Sequence, residues 1–558
     1  MGAHMKRIIM AFFLIIHIII TSNYNLIHNS YNFKITHEGI VYNGLESDES
    51  IESEIVIKHF IVLFLNIEFI QNEDMQYTST YYNQFNTAFV NDYVLFDYLD
   101  ISISRLAPVI EFEIESISEI QEEIIELSTN DIVLHIFTRT EYIEFQLLES
   151  FPPEDLMTPP DGGGTGGSGL VYQSEIKVGL LDGGKIDQSF AIFQDIDIFD
   201  YNDNISQHWH TTGVAALIAN EFGNNSYLSF HVVGIDTSFI EGVDWLIIDQ
   251  EVDIINMSRK IDTLDGVYGF YSMYTDFIVY TCKIPFIKSS GNIETILEIT
   301  DYDEFGNPIL ESVTYNQVTA PGTGFNVFTV GGINSDNSFY QLSRYLLDND
   351  YSNFKPNIVA YNYDIIYGHT GTSYAAPRVT GNMAKFMSYF PDYKGEVEFL
   401  YSVFLTSGDV SIVSGINGSV ENPSGMYNKI GSGSMDTIIP YEIMDGYWFS
   451  LINHNMQNLN VYSKNVSINE NETITISIFS LRKMFYLARS QNYTPASITN
   501  YQVLVYRNGN LISQSSGNIN FEMLRLTVTT GGLYQIKIVQ LSPNVNSYEK
   551  IGFSYKIT

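Results

Sequence analysis

The chain has 558 residues, 45% of them hydrophobic and 16% charged, with 39 Tyr and 36 Phe. This is a globular composition, and the length exceeds what one hydrophobic core serves, so about two to four domains are expected. Acidic residues outnumber basic ones 65 to 27, a formal net charge of −38; this argues against nucleic acid or an anionic membrane surface as partner, because phosphate binding needs Lys and Arg. With Cys282 as its single cysteine the chain has no intramolecular disulfide.

Met5-Lys6-Arg7 is a basic n-region, and Ile8–Ile20 is nearly unbroken apolar sequence, the length of a signal-peptide core and short for a membrane span. No Ala-x-Ala site follows at Thr21-Ser22, so residues 1–24 read as a signal peptide or an uncleaved N-terminal anchor. Either places the protein outside the cell, secreted or at the cell surface. Residues 25–150 read as a small α+β domain. Ile110, Phe112 and Ile114 alternate with Glu111, Glu113 and Glu115, the period of a half-exposed strand. Ser118 and Gln121 suggest a capping box ahead of helically spaced Ile117, Ile120, Ile124 and Leu127, and a second strand is predicted from Ile132 to Phe137. Pro152-Pro153, Pro159-Pro160 and the glycine run Gly162–Gly169 make residues 151–170 the clearest linker.

Residues 171–447 read as the next domain, and from Ile176 the pattern changes. Short apolar runs at 176–181, 252–257, 285–288, 327–330 and 357–360 are separated by gaps long enough for helices. Buried strands alternating with helices predict an α/β, doubly wound, mostly parallel sheet, whose functional residues gather at the carboxyl ends of the strands. Asp182, Ser258 and Asn292, each just after a run, should therefore share one sheet edge. Residues 448–558 show alternating strands, an Asn508-Gly509 hairpin signal and Gly531-Gly532 punctuation, the pattern of a β-sandwich.

The chemistry-bearing segments lie in the middle region. Gly371-Thr372-Ser373-Tyr374-Ala375-Ala376-Pro377 opens an apolar helix with a serine, where free N–H groups and the positive end of the dipole suit a developing oxyanion. Pro377 is assigned to the first turn, whose amides have no intrahelical partner. Asp182 ends the strand Ile176–Leu181 and is followed by two glycines; His210 precedes the small-residue stretch Val214–Ala219. An imidazole titrating near neutrality can take and return a proton, and an aspartate can fix its tautomer. Taken singly, each has a plainer reading: a capping serine, a turn aspartate, a loop histidine.

Together, and in this order, the three segments resemble the Asp, His and Ser motifs of the subtilisin-like serine proteases, the subtilases (peptidase S8 family). Phe286-Ile287-Lys288-Ser289-Ser290-Gly291-Asn292 is similar to the family's oxyanion strand. The resemblance implies a catalytic triad of Asp182, His210 and Ser373, an oxyanion hole at Asn292, and substrate binding along Ser258, Arg259 and Lys260 and along Ser290 and Gly291. It also implies polypeptide substrates and an inhibitory propeptide, with maturation in the 151–170 linker. No cofactor is required for such chemistry. Structural calcium is compatible with the many carboxylates, but no Asp-x-[Asp/Asn]-x-[Asp/Asn]-Gly loop places a site.

The chain departs from the pattern at three points. Thr211 stands where the family has glycine after the histidine, a bulkier residue expected beside the substrate path. His208 lies two residues from His210 but lacks the motif's neighbours. Ser258-Arg259-Lys260 replaces the usual Ser-Leu-Gly; with Lys288 this suggests either a basic cleft favouring acidic substrate residues or long cationic side chains that point to solvent. Residues 293–320 read as an extended loop, and Cys282 as a small buried hydrophobe ending a helix. These departures keep an alternative open, a catalytically weak or inactive subtilase-fold protein that binds partners at the cell surface.

Overall fold

The computed structural model describes residues 33–36, 39–42, 55–65, 75–144 apart from 117–119 and 131, and 171–558 apart from 203–204, 235–236, 262–265, 303–307, 347–353, 418, 420, 422–425, 436–446, 453–458, 483–498, 516–519 and 543–547. The signal or anchor segment 1–24, Ser118 of the capping box and the 151–170 linker lie outside the described residues. None of the described helices is long and apolar enough to cross a membrane.

The chain divides into two compact units, residues 1–154 with 294–315, and residues 155–293 with 316–558. In the first, Asp100–Ile103, Val109–Ile114, Ile55–Leu65 and Val133–Glu144 form an antiparallel sheet in that order, with helices Met75–Tyr93 and Gln121–Ser128. Ile61, Leu63, Phe89, Phe112, Ile114 and Leu127 share its core. Glu111 is buried along with Ile110 and Phe112, so the strand is not half-exposed as its alternation predicted. Alternation assigns side chains to faces but does not say what covers each face. The stretch read as a loop after Asn292 is instead an antiparallel pair, Glu294–Tyr302 with Pro308–Tyr315.

In the second unit seven described strands form one sheet, ordered Ile358–Tyr361, Phe328–Ile333, Phe286–Ser289, Ile254–Met257, Ile176–Leu181, Leu228–Val233, Asp197–Asp200. Every pairing is parallel. The five predicted runs are all strands. Two strands escaped the sequence reading for different reasons. Asp197–Asp200 is a short, partly exposed edge, and in the fully buried Leu228–Val233 the polar Ser229 and His231 break the apolar run. The strand order reverses around Ile176–Leu181, which is where ligand-handling residues collect in open α/β sheets.

Past residue 447 two four-stranded antiparallel sheets follow. Their strands share one core, including Ile474, Ile476, Val503, Ile536, Ile538 and Phe553. Asn508 and Gly509 both take positive φ, 50° and 79°, in the tight turn between Tyr501–Arg507 and Asn510–Gln514, as a two-residue hairpin requires.

Candidate active site

Asp182 follows Leu181 at the end of a central strand and is 1% exposed. Its Oδ1 accepts the Gly183 N–H at 2.7 Å and lies 2.6 Å from His210 Nδ1. His210 is the second residue of the helix Trp209–Phe222, whose first residue follows the extended His208. That start is anchored by the His208 N–H on the Lys185 carbonyl, 2.9 Å. Burial opposes the charged form of His210, but the Asp182 charge and its hydrogen bond, aided by Asp364, outweigh burial and the opposing Lys288, so the pKa sits above the ordinary 6.5. Burial likewise works against the Asp182 carboxylate; His210, the Gly183 N–H and His208 overcome it and hold Asp182 below its ordinary range. Burial keeps His208 below 6.5 against the pull of Asp182, and the charge of His210 adds to the lowering. The site thus holds an ionised carboxylate against an imidazole that can carry a proton.

Ser373 is the second residue of the helix Thr372–Tyr389. Pro377 is the sixth, so it lies in the second turn and not the first. It removes the N–H that would have met the Ser373 carbonyl four residues earlier. The Ser258 hydroxyl replaces that donor at 2.9 Å. Ser258 Oγ is in turn held by Asn256 Nδ2 at 3.1 Å, and Asn256 Oδ1 by the Thr380 hydroxyl at 2.9 Å. The proline therefore opens a helix carbonyl by which the neighbouring strand fixes the backbone of the serine. The Ser373 hydroxyl itself donates to the Ser258 carbonyl at 2.9 Å.

Asn292 lies three residues past the strand Phe286–Ser289. Its Oδ1 accepts the Thr372 N–H at 3.0 Å and the Thr372 hydroxyl at 3.2 Å, which fixes the amide across the head of the serine helix. A Cβ on Gly371 would come within 3.0 Å of Asn292 Nδ2, so glycine there leaves room for the amide. Gly291 has φ of 97°, a region L side chains rarely adopt, and its N–H donates to Thr372 Oγ1 at 3.1 Å. The Asn292 amide and the first-turn N–H of Ser373 thus both lie at the head of the serine helix. Replacing Asn292 by Ala is expected to lower kcat by about 10²–10³ with little change in KM, read from steady-state hydrolysis of a peptide ester.

The two helices that carry His210 and Ser373 cross where a Cβ on Gly381 would lie 2.7 Å from the Ile218 carbonyl oxygen. Beside this crossing, Arg378 Nη1 meets Glu221 Oε1 at 2.6 Å and Asn382 Nδ2 meets Glu221 Oε2 at 3.0 Å. This close contact sets His210 and Ser373 relative to each other.

The residues expected to bind substrate are placed unevenly. Ser258 is buried and braces the serine. Arg259 turns back so that Nη1 donates to the Gly234 carbonyl at 3.0 Å, while Lys260 is exposed. Ser290 is buried, with Oγ 3.4 Å from Ser343 Oγ, and the Gly291 carbonyl accepts the Arg344 N–H at 3.0 Å. Lys288 is buried, with Nζ on the Ser289 carbonyl at 2.8 Å and Thr319 Oγ1 at 3.3 Å. Thr211 does not stand beside a substrate path: it is fully buried, because the residue after His210 on the helix points into the fold toward Asp182. Cys282 ends the helix Phe270–Cys282, half-buried rather than buried. Among the described residues no group of three or more His, Cys, Asp or Glu side chains is placed to hold a metal ion.

A parallel α/β sheet presenting an Asp–His pair and a helix-head serine at its switch edge defines a serine-hydrolase type of site. Residues 173–419 match the model of peptidase S8, the subtilase family, and this part of the chain is a subtilase serine protease domain. Solved structures similar to the chain include the prenylagaramide maturation protease, at 19% identity over 48% of this chain and 92% of that one, TM-score 0.35. Another is the epidermin leader peptide processing serine protease of Staphylococcus aureus, at 11% identity over 70% of this chain and 99% of that one, TM-score 0.43. No curated protein matches the chain.

Proposed function

We propose that the protein is an exported serine endopeptidase that cleaves polypeptides through Asp182, His210 and Ser373 and is made as an inhibited precursor. The observation that carries this reading is the 2.6 Å bond between His210 Nδ1 and buried Asp182, joined in one fold to a helix-head serine and an amide donor. In the proposed cycle the Ser373 hydroxyl exchanges its bond to the Ser258 carbonyl for His210 Nε2 and attacks the scissile carbonyl carbon. His210 takes the hydroxyl proton and then delivers it to the leaving amine. Asp182 holds the imidazole with Nε2 free to accept and offsets the charge it gains. The oxyanion rests on the Asn292 amide and the Ser373 N–H. Water, deprotonated by His210, then releases the acyl group and restores Ser373. Every proton passes through the protein's own groups.

Residues 25–150 serve in this reading as a propeptide acting as intramolecular inhibitor, the 151–170 linker as the site of maturation, and 448–558 as a C-terminal β-sandwich. Residues 1–24 direct export, to the medium or, uncleaved, to the cell surface. The test is N-terminal sequencing of the processed protein, followed by fluorophosphonate labelling and cleavage of an unfolded protein substrate. A processed form that neither labels nor cleaves would remove the reading.

Because the base must be neutral to act, kcat/KM should rise with pH through the raised pKa of His210, with a midpoint above 6.5. Asp364 contributes to that elevation, so Asp364→Asn is expected to move the midpoint downward. An unmoved midpoint in the pH profile would remove Asp364 from the electrostatics of the base.

A further inference from the structure

We infer that Thr211 is a positioning residue for the Asp182 carboxylate, a role that rests on the triad reading above. Its Oγ1 lies 3.1 Å from Asp182 Oδ1, and the Gly184 N–H donates to the same hydroxyl at 3.0 Å. A hydroxyl has one hydrogen, and since the amide of Gly184 already occupies a lone pair, that hydrogen is directed to the carboxylate. The neighbouring Thr212 behaves as helical threonines ordinarily do, its hydroxyl returning to the His208 carbonyl at 2.9 Å. Thr211 does not. It leaves its own helix to reach the strand end that carries Asp182.

The sequence around Asp182 explains why a donor comes from there. The residue after the aspartate is Gly183, and a Cβ at that position would lie 2.5 Å from His208 Nδ1 and 2.6 Å from His208 Cε1. The His208 ring therefore fills the space a side chain at 183 would need, so a hydroxyl donor cannot be supplied from that residue. The loop gives the carboxylate only the Gly183 N–H; the other donors, His210 Nδ1 and the Thr211 hydroxyl, are adjacent residues of one helix. Base and second donor are thus carried by a single rigid helix and meet the carboxylate at the strand end, with Asp182 and Thr211 both buried. A hydrogen bond to an ionised group strengthens the charged form, so the Thr211 hydroxyl shares the negative charge of Asp182 and limits how tightly the carboxylate holds the imidazolium proton.

The experiment uses the processed protein with Thr211→Val, which keeps shape and loses the hydroxyl, and Thr211→Ser, which keeps the hydroxyl. Thr211→Val is expected to lower kcat about tenfold to a hundredfold at unchanged KM. It should also raise the acid-limb midpoint of kcat/KM and shift the downfield proton resonance of the His210–Asp182 bond; Thr211→Ser should restore all three. If Thr211→Val is too unstable to assay, Thr211→Ala with Thr211→Ser provides the same comparison. A lowered thermal midpoint with an unmoved pH limb and resonance would overturn the proposal and leave Thr211 a structural residue that satisfies the Gly184 amide. Wild-type protein without Ser373-dependent labelling would overturn the triad reading and this role with it, whereas normal wild-type labelling and unchanged Thr211→Val profiles would overturn this role alone.

Discussion

Ser373→Ala is expected to abolish fluorophosphonate labelling of the processed protein and to lower kcat by about 10⁶, the loss typical when a triad nucleophile is removed. His210→Ala should cost about as much, because the serine is a weak nucleophile without a base to take its proton. Combining the two should add little, since they act as one unit. Asp182→Asn should retain the fold and lose about 10⁴: an amide facing Nδ1 favours the tautomer that leaves a hydrogen on Nε2, where the base must accept. Residual hydrolysis in all three variants should depend on Asn292, because that donor follows a separate strand and is untouched by the three substitutions. Labelling that survived Ser373→Ala would mean that another residue is the nucleophile and that the arrangement around Asp182 serves something else.

Ending the chain at residue 447 is expected to prevent the protease domain from folding. The helix Val397–Ser407 is buried along its whole length, and part of its cover comes from the C-terminal sheets. Ser402 and Thr406 interlock with Ser477 and Ser554 through hydroxyl contacts of 2.6–3.3 Å. The Tyr401 ring lies 5.0 Å from Phe479, centroid to centroid, while its hydroxyl accepts the N–H of Phe286, on the strand that leads to Asn292. Further along, Asn326 donates to the Arg482 carbonyl at 2.8 Å and Asn520 to the Phe325 carbonyl at 2.8 Å. Each large apolar side chain exposed by truncation forfeits about 1.5–3 kcal/mol, and a few such losses reach the roughly 5–15 kcal/mol by which domains are stable. Gly552→Ala probes the same contact in the full chain. Its Cβ would lie 1.9 Å from the Glu398 carbonyl oxygen, and a clash with backbone should cost about 3 kcal/mol or more. Calorimetry should show the protease and C-terminal parts unfolding in one transition, lowered in Gly552→Ala. Two separate transitions, or a chain ending at 447 that still labels at Ser373, would show the C-terminal part to be a detachable module.

What the sequence by itself determined was the local character of each chemical segment. The apolar run into Asp182, the small-residue stretch after His210 and the serine-led helix at Ser373 were legible because strand burial and helix starts are written in adjacent residues. That Asp182, Ser258 and Asn292 share one edge of the sheet followed from the parallel pattern, whereas the order of their strands came from the tertiary structure. Only the tertiary structure decided what those segments face. Thr211 looked like a bulky residue beside the substrate path and is a buried donor to the Asp182 carboxylate. Pro377 looked like a tolerated first-turn residue and frees a carbonyl for Ser258 in the second turn. The strand Leu228–Val233 was hidden by Ser229 and His231. The burial of Val397–Ser407 depends on strands some seventy to a hundred and sixty residues later. The physical reason is common to all four: periodicity and composition state which side of an element is apolar or small, whereas a hydrogen bond or a shared core needs its partner in place, and those partners come from distant parts of the chain.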